Sequence, residues 1–319
     1  MRIVLLDGYT INPGDIGWGP LEALDQISIY ESTEPEDILD RAKEADILLV
    51  NKITVDDALM AKLPKLKYIG VTATGYNIVD VESAKKRGIV VTNIPAYGTE
   101  SVAQYTFALI LEICSRVGQH AQLVKDGAWA AQPEFCFWEH PLIELQGKTL
   151  GLIGTGRIGL AVSRMAQAFG MNVIAYNRTH YPEHENEHFT YTDMDTVFRK
   201  ADIVSLHCPL TTETAHLIQS ETLSKMKKNA ILINTARGGL VKEEDLVEAL
   251  KSKQIYAAGL DVLTLEPPEA DHPLYHLENC FITPHIAWAP QEARYRLMEI
   301  AADNIRAFMR GQVLNVVSE

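Results

Sequence analysis

Short apolar runs alternate with polar, helix-forming stretches along the first third of the chain. The runs are Ile3 to Leu6, Ile27 to Tyr30, Ile47 to Val50, Tyr68 to Val71 and Ile89 to Thr92. This alternation predicts a parallel sheet with covering helices, because each buried strand needs a helical crossover to reach the next one. A long helix is then predicted from Glu100 to Val117, where apolar residues recur three and four positions apart.

A second alternating set fills most of the remaining chain. Its runs are Thr149 to Ile153, Val173 to Tyr176, Ile203 to His207, Ile231 to Asn234, Ala257 to Val262 and Phe281 to Thr283. They predict a second parallel sheet. The last periodic stretch, Glu292 to Met309, has no strand of its own, and we expect it to pack on the first domain. The predicted domains are therefore residues 1–98 with 290–319, and an inserted domain of residues 99–289.

Composition narrows the class of protein. With 319 residues, of which 47% are hydrophobic, the chain can bury a sizeable core. Its 29 basic and 42 acidic residues give a net charge of −13, which argues against nucleic acid as a partner. No apolar run approaches bilayer length and Met1 to Asp7 lacks the features of a signal peptide, so we expect a cytoplasmic protein without membrane contact. The scattered cysteines are Cys114, Cys136, Cys208 and Cys280, and their spacing favours reduced thiols.

A glycine-rich turn joins the apolar run at Thr149 to Ile153 with a strongly periodic helix. In this turn Gly154 permits a tight bend, Gly156 lets the backbone approach a pyrophosphate, and Gly159 allows close packing of helix on strand. Gly170 supplies a helix stop. The context of strand, turn and helix predicts a dinucleotide-binding site.

The choice of dinucleotide depends on the residues about 20 positions after the glycines, where an acid normally binds the adenosine ribose. Here the positions hold Asn177 and Arg178. Asn177 does not repel a 2′-phosphate and Arg178 can pair with one, although Arg178 also fits a solvated loop. NAD and NADP both stay possible, and the pair slightly favours NADP.

Three polar residues follow predicted strands of the second sheet, namely Arg237, Glu266 and His285. Reduction of a ketone by a nicotinamide needs a proton source, and histidine is the usual one near neutral pH. Arg237 is suited to hold a carboxylate, and Glu266 would orient His285 and favour its charged form if the two are in contact. We expect no metal site, because His180, His184 and His188 lie beside Pro182, where a helix is disfavoured.

These motifs together resemble the D-isomer-specific 2-hydroxyacid dehydrogenases, in particular the glycerate dehydrogenase and hydroxypyruvate reductase branch. The matching stretches are the glycine turn, Leu206 to Thr211 with Thr214, Asn234 to Gly239, Asp261 to Pro267, and Thr283 to His285. The resemblance implies an α/β fold of two doubly wound parallel-sheet domains, with a Rossmann dinucleotide-binding domain inserted in a discontinuous flavodoxin-like substrate domain. It also implies a homodimer that forms through the cofactor domain.

The same resemblance assigns roles to individual residues. Arg237 anchors the substrate, His285 is the general acid and base, and Glu266 supports His285. Thr74 and Gly75 lie in a loop whose amides receive the substrate carboxylate, where glycine gives the backbone its freedom. The residues implied for the cofactor, besides Gly154, Gly156, Gly159, Asn177 and Arg178, are Arg157, Ile158, His207, Cys208, Pro209, Thr214, Thr235, Ala236 and Asp261, the last at the nicotinamide carboxamide.

The expected function is hydride transfer between NAD(P)H and C2 of a small 2-keto acid, with hydroxypyruvate/D-glycerate or glyoxylate/glycolate as the substrate pair. Two alternatives are a dehydrogenase for a bulkier 2-keto acid and a cofactor-sensing binding protein. Arg237, Glu266 and His285 are all present, which disfavours the binding protein.

Overall fold

Every named strand pair in the described part of the chain is parallel, and the strands form two separate sheets. The computed structural model describes residues 1–24 and 26–318. Each sheet belongs to its own unit: residues 1–98 with 288–319 form the first unit, and residues 99–287 form the second.

The first unit begins with five strands and four short helices. In chain order these are β1 (Ile3–Leu5), α1 (Gly19–Glu22), β2 (Ile27–Ile29), α2 (Ile38–Ala42), β3 (Ile47–Val50), α3 (Asp57–Met60), β4 (Tyr68–Val71), α4 (Val81–Lys86) and β5 (Val90–Thr92). The sheet order is β2-β1-β3-β4-β5, which is the flavodoxin-like arrangement. Asp56 and Asp80 cap α3 and α4 by accepting the amides of Leu59 and Ser83.

The second unit contains seven strands and six helices. In chain order these are α5 (Thr99–Ser115), α6 (Val117–Lys125), β6 (Thr149–Ile153), α7 (Arg157–Ala168), β7 (Asn172–Tyr176), β8 (Phe189–Tyr191), α8 (Met194–Lys200), β9 (Ile203–Leu206), α9 (Ser220–Lys225), β10 (Ile231–Asn234), α10 (Glu243–Lys251), β11 (Ala257–Leu260) and β12 (Cys280–Ile282). The sheet order is β12-β11-β10-β9-β6-β7-β8. Counted from β6, the first six strands follow the 3-2-1-4-5-6 order of a Rossmann fold.

Helices cover both faces of the second sheet, and this arrangement explains the continuously apolar strands. On β9, Val204 and Leu206 belong to one buried cluster, while Ile203 belongs to the cluster on the opposite face. Because successive strand residues point to opposite faces, a strand buried on both sides needs apolar residues at nearly every position. The fold class predicted from the sequence is confirmed.

Two elements differ from the sequence prediction. Strand β8 was not predicted, since it is a three-residue edge strand that follows a polar loop. The helix expected from Glu100 to Val117 ends at Ser115, and α6 begins at Val117. Arg116 lies between them with a left-handed backbone, φ 50°. Its guanidinium stacks over the ring of Phe281, 4.4 Å from the ring centroid, so a contact distant in sequence accompanies the break.

The last helix, α11 (Gln291–Met309), completes the first unit. Its side chains Leu297, Met298 and Ile305 are fully buried in a cluster with Ile3 and Leu49 from the sheet. Within the described residues, no helix combines the length and the apolar character that crossing a bilayer requires.

Candidate active site

The glycine turn after β6 accepts only glycine at two of its positions. Gly154 has φ +98°, and a Cβ there would lie 2.8 Å from the amide nitrogen of Cys208 and the carbonyl of His207. A Cβ on Gly159 would overlap the carbonyl oxygen of Gly154. The turn therefore packs backbone against backbone, and this packing brings α7 directly to the end of β6.

Gly156 differs from the other two glycines because a Cβ on it would meet no protein atom within 4 Å. It is the N-cap of α7, a helix of 12 residues. The first amides of this helix and its dipole favour a negative charge at the N-terminus. Gly156 and Arg157 are exposed there and Ile158 is half-buried. The space at the helix N-terminus fits the pyrophosphate of a dinucleotide.

At the end of β7, Asn177 stands in place of the usual acid and is tied to the glycine turn. Its Oδ1 accepts the amide of Thr155 at 3.2 Å, and its Nδ2 donates to the carbonyl of Thr179 at 2.7 Å. Arg178 is exposed beside it. This corner of the site carries a cation and a neutral amide where a carboxylate is common.

The segment after β9 forms the wall behind the glycine turn. His207 is half-buried, its Nε2 lies 2.9 Å from the hydroxyl of Ser205, and desolvation lowers the pKa of His207 to about 4. Burial also raises the pKa of the Cys208 thiol. Both side chains are thus uncharged at neutral pH. Thr214 donates from its hydroxyl to the carbonyl of Pro209 at 2.7 Å and fixes the following loop.

The segment after β10 carries Thr235, Ala236 and Arg237. The side chain of Asn234 fixes the backbone of this segment with two hydrogen bonds. Its Oδ1 accepts the amide of Ala236 at 3.0 Å, and its Nδ2 donates to the carbonyl of Arg237 at 2.8 Å. The hydroxyls of Thr235 and Thr106 lie 3.0 Å apart, which links the segment to α5. Arg237 is exposed, and its Nη1 donates to the carbonyl of Ala236 at 2.7 Å.

Glu266 and His285 form a carboxylate–imidazole pair. Oε2 of Glu266 lies 2.6 Å from Nδ1 of His285, while Oε1 accepts the amide of Leu263 at 3.0 Å. Desolvation acts to raise the pKa of Glu266, but the hydrogen bond and charge of His285, the Leu263 amide and the charge of Arg237 hold it below its usual value. The ionised carboxylate accepts a hydrogen bond from the protonated Nδ1, so Nε2 is the ring nitrogen that can exchange a proton with a substrate.

The loop that carries His285 is held by Asp261, a buried residue that follows β11. Its Oδ1 accepts the hydroxyl of Thr283 at 2.7 Å and the amide of Ile286 at 3.0 Å, and its Oδ2 accepts the amide of Ala287 at 2.8 Å. His285 has a left-handed backbone, φ 55°, which is uncommon outside glycine. The three bonds to Asp261 hold the loop in this conformation. The family resemblance implies that Asp261 is a cofactor contact, but the sequence gave no sign of this anchoring role.

Thr74 and Gly75 belong to the first unit, in the loop after β4. The hydroxyl of Thr74 donates to the carbonyl of Ile94 at 2.8 Å. A network that the sequence did not indicate supports the start of this loop. The buried carboxylate of Asp7 accepts the amides of three successive residues after β3, at 2.7 to 3.0 Å, and the side chain of Asn51 donates to the carbonyl of Thr72 at 2.8 Å.

The predicted residues therefore fall into groups. The second unit brings Glu266 and His285 into contact, with Arg237 near enough to affect the pKa of Glu266. In the same unit, the segments after β7 and β9 contact the glycine turn, which follows β6. The loop of Thr74 and Gly75 is part of the first unit. The second unit therefore contains both a glycine turn suited to a dinucleotide and the acid–base pair of Glu266 and His285.

Comparison with known proteins agrees with this description. A family model for the D-isomer specific 2-hydroxyacid dehydrogenase NAD binding domain matches residues 107–287. The hydroxypyruvate reductase of Blautia hydrogenotrophica is 48% identical over 322 residues, which cover 100% of both chains. The glycerate dehydrogenase of Methylorubrum extorquens is 40% identical over 291 residues, which cover 90% of both. Among solved structures, the TT0316 protein of Thermus thermophilus has a TM-score of 0.88 and 38% identity, over 99% of this chain and 100% of that one.

These similarities include both units and the glycine turn, and the family model spans Arg237, Glu266 and His285. The protein is an NAD(P)-dependent oxidoreductase that belongs to the D-isomer-specific 2-hydroxyacid dehydrogenase family.

Proposed function

We propose that this enzyme reduces small 2-keto acids, hydroxypyruvate to D-glycerate and glyoxylate to glycolate. The observation that carries the proposal is the 2.6 Å contact between Glu266 and His285 in a unit that also contains a dinucleotide-type glycine turn. The similarity of this chain to a hydroxypyruvate reductase and a glycerate dehydrogenase supports the choice of substrate.

The proposed mechanism assigns one task to each residue. A bound nicotinamide supplies the hydride that C2 of the keto acid receives. His285 donates the proton from Nε2 to the carbonyl oxygen, and Glu266 stabilises the imidazolium form from which that proton comes. The guanidinium of Arg237 binds the substrate carboxylate and polarises the carbonyl next to it. The products are the 2-hydroxy acid, D-glycerate or achiral glycolate, and the oxidised cofactor, and the same residues serve the reverse reaction.

The loop of Thr74 and Gly75 is proposed to bind a substrate carboxylate through its backbone amides. The network of Asp7, Asn51 and Thr72 supports this proposal, because it orders the residue at the start of the loop before any ligand binds.

Steady-state rates with a series of keto acids test the function. We expect the highest kcat/KM for hydroxypyruvate or glyoxylate, and a preference for a branched or aromatic keto acid would overturn the assignment.

His285→Ala is expected to lose at least about 100-fold in kcat while the Kd of the cofactor changes little. Arg237→Ala should chiefly raise the KM of the keto acid and also lower kcat. Near-normal turnover of the His285 variant would exclude this residue as the acid.

For the cofactor we propose a preference for NADPH over NADH. The neutral side chain of Asn177, whose amide groups bind Thr155 and Thr179, and the exposed guanidinium of Arg178 support this choice. The ratio of kcat/KM for the two cofactors tests it, and Asn177→Asp should shift that ratio towards NADH because a carboxylate repels the 2′-phosphate. A ratio far below one in the unaltered enzyme would contradict the proposal.

We further propose that the enzyme forms a homodimer through the second unit. Supporting this is an exposed aromatic segment, residues 129–142, in which Trp129, Phe135 and Trp138 are 52%, 85% and 64% exposed. The segment is ordered, since the indole of Trp129 donates to the carbonyl of Phe135 at 3.0 Å. Exposed aromatic clusters are typical of protein interfaces.

We also propose a cytoplasmic location, in accord with four cysteines that are free in the structure.

A further inference from the structure

A second carboxylate–imidazole pair lies beside the first one. Glu243 is the first residue of α10, and its Oε2 lies 3.1 Å from Nε2 of His272. These side chains are only 19% and 14% exposed, whereas those of Glu266 and His285 are 35% and 42% exposed. The second pair is therefore largely withdrawn from solvent and is not placed to meet a substrate in the way the first pair is.

Both carboxylates bind the same short turn, which begins just after β11. Oε1 of Glu243 accepts the amide of Thr264 at 2.7 Å, and Oε1 of Glu266 accepts the preceding amide, that of Leu263, at 3.0 Å. Each carboxylate thus gives one oxygen to a backbone amide and the other to an imidazole. The backbone that joins Leu263 to Glu266 is therefore held at Thr264 by the side chain of Glu243 from α10.

His272 is itself fixed in a defined orientation. Its Nδ1 accepts the amide of Leu274 at 3.3 Å, at the start of the 3-10 turn Pro273–His276. With Nδ1 as acceptor, the neutral ring carries its proton on Nε2 and donates it to Glu243. The pair therefore connects α10, this 3-10 turn and the loop of Glu266.

The same peptide is confined on another side by Gly238. A Cβ on Gly238 would overlap both the carbonyl carbon of Leu263 and the amide nitrogen of Thr264. The backbone next to Arg237 is thus in direct contact with the peptide that Glu243 binds. A shift of this peptide would displace Glu266 from His285 and would also disturb the segment that carries Arg237.

We propose that Glu243 and His272 are positioning residues for the reaction, and that they hold the Leu263–Thr264 peptide where Glu266 meets His285. This inference rests on the proposed roles of Glu266 and His285. Neither positioning residue touches the substrate. Their effect is to keep the 2.6 Å contact between Glu266 and His285 short throughout the catalytic cycle.

Replacement of Glu243 tests the proposal. Glu243→Ala removes both hydrogen bonds and should lower kcat about 10-fold. A looser contact between Glu266 and His285 stabilises the imidazolium less, so the alkaline limb of the pH profile of kcat/KM for keto-acid reduction should also move to lower pH. The charged groups that act on Glu266 are His285 and Arg237. The Kd of NADPH, measured by fluorescence titration, should change less than about twofold, because the glycine turn lies elsewhere in the unit.

Conservative and control variants separate positioning from general stability. Glu243→Gln retains an oxygen for the Thr264 amide and should recover part of the lost kcat. His272→Phe removes the donor to Glu243 and should change kcat and the pH profile in the same direction as Glu243→Ala. Glu244→Ala alters a carboxylate in the same helical turn and should behave like the unaltered enzyme. All rates are measured well below the unfolding midpoint of each variant.

Three results would be decisive. If Glu243→Ala or Glu243→Gln unfolds at a lower temperature but keeps the normal kcat and pH profile, the pair is merely structural and the proposal is wrong. If His285→Ala is inactive while the Glu243 and His272 variants are normal, only this inference fails. If His285→Ala keeps its turnover, the proposed function of the dyad fails first.

Discussion

At the scale of single residues, the carboxylate of Glu266 combines a structural bond with a chemical one. One oxygen accepts the Leu263 amide and the other faces His285, with Arg237 adding a positive charge nearby. Since these interactions lower the pKa of Glu266, the carboxylate is ionised at neutral and weakly acidic pH. The stability that it contributes is present above the usual pKa of glutamate and is lost as the pH falls through the lowered value.

Glu266→Gln tests the importance of that charge. The amide has nearly the same shape but stabilises the imidazolium of His285 less well, so we expect kcat/KM for keto-acid reduction to fall at least about 10-fold. The alkaline limb of its pH profile should move to lower pH. Rates measured from about pH 5 to about pH 9 provide the readout, and Glu269→Gln, an exposed carboxylate further along the same loop, is the control. An unchanged alkaline limb would show that the charge of Glu266 is not needed.

The sequence indicated the residues that have a local signature and missed those that act through tertiary contacts. Arg237, Glu266 and His285 each follow a strand, so the end of an apolar run marked them. Glu243 and His272 have no such mark, because Glu243 is one of several acids in the first turn of α10. Only the folded chain brings these two residues to the peptide of Thr264.

At the scale of elements, the junction of β6 and α7 was predictable because its constraints are local. Gly154 has φ +98°, Gly159 contacts the carbonyl of Gly154 within the same turn, and Gly170, with φ +71°, follows the end of α7. The break between α5 and α6 was not predicted, since Arg116, the residue with the left-handed backbone at the break, is neither glycine nor proline. At this break Arg116 contacts Phe281, a residue of β12 that is distant in sequence.

Two alanine variants of the glycine turn should have different effects on stability. Gly156→Ala adds a methyl group that meets no protein atom, so the unfolding midpoint should stay within about 2 °C while the Kd of NADPH rises at least about 10-fold. Gly159→Ala forces its methyl group against the carbonyl of Gly154 and should lower the midpoint as well. Calorimetry and fluorescence titration measure the two quantities. Normal NADPH binding by Gly156→Ala would contradict the proposed position of the pyrophosphate.

At the scale of the whole molecule, the aromatic segment of residues 129–142 allows a direct test of assembly. Replacing Phe135 and Trp138 by serine removes exposed apolar surface, so we expect a shift from dimer to monomer without loss of the monomer fold. Light scattering coupled to gel filtration measures the mass, and circular dichroism checks the fold. Tyr9→Ser, an exposed aromatic residue of the first unit, is the control. A monomeric unaltered enzyme would exclude the proposed dimer.

The position of α11 has a consequence for how the chain is made. This helix fills one side of a sheet built from residues 3–92, so the strands synthesised first lack their covering layer until the last helix leaves the ribosome. Residues 99–287 are contiguous and form a unit with its own core. We therefore expect the middle of the chain to fold before its beginning during translation. Throughout that interval the early strands would present an apolar face to chaperones, and a nascent chain stalled just before α11 would be cleaved by protease chiefly within residues 1–98.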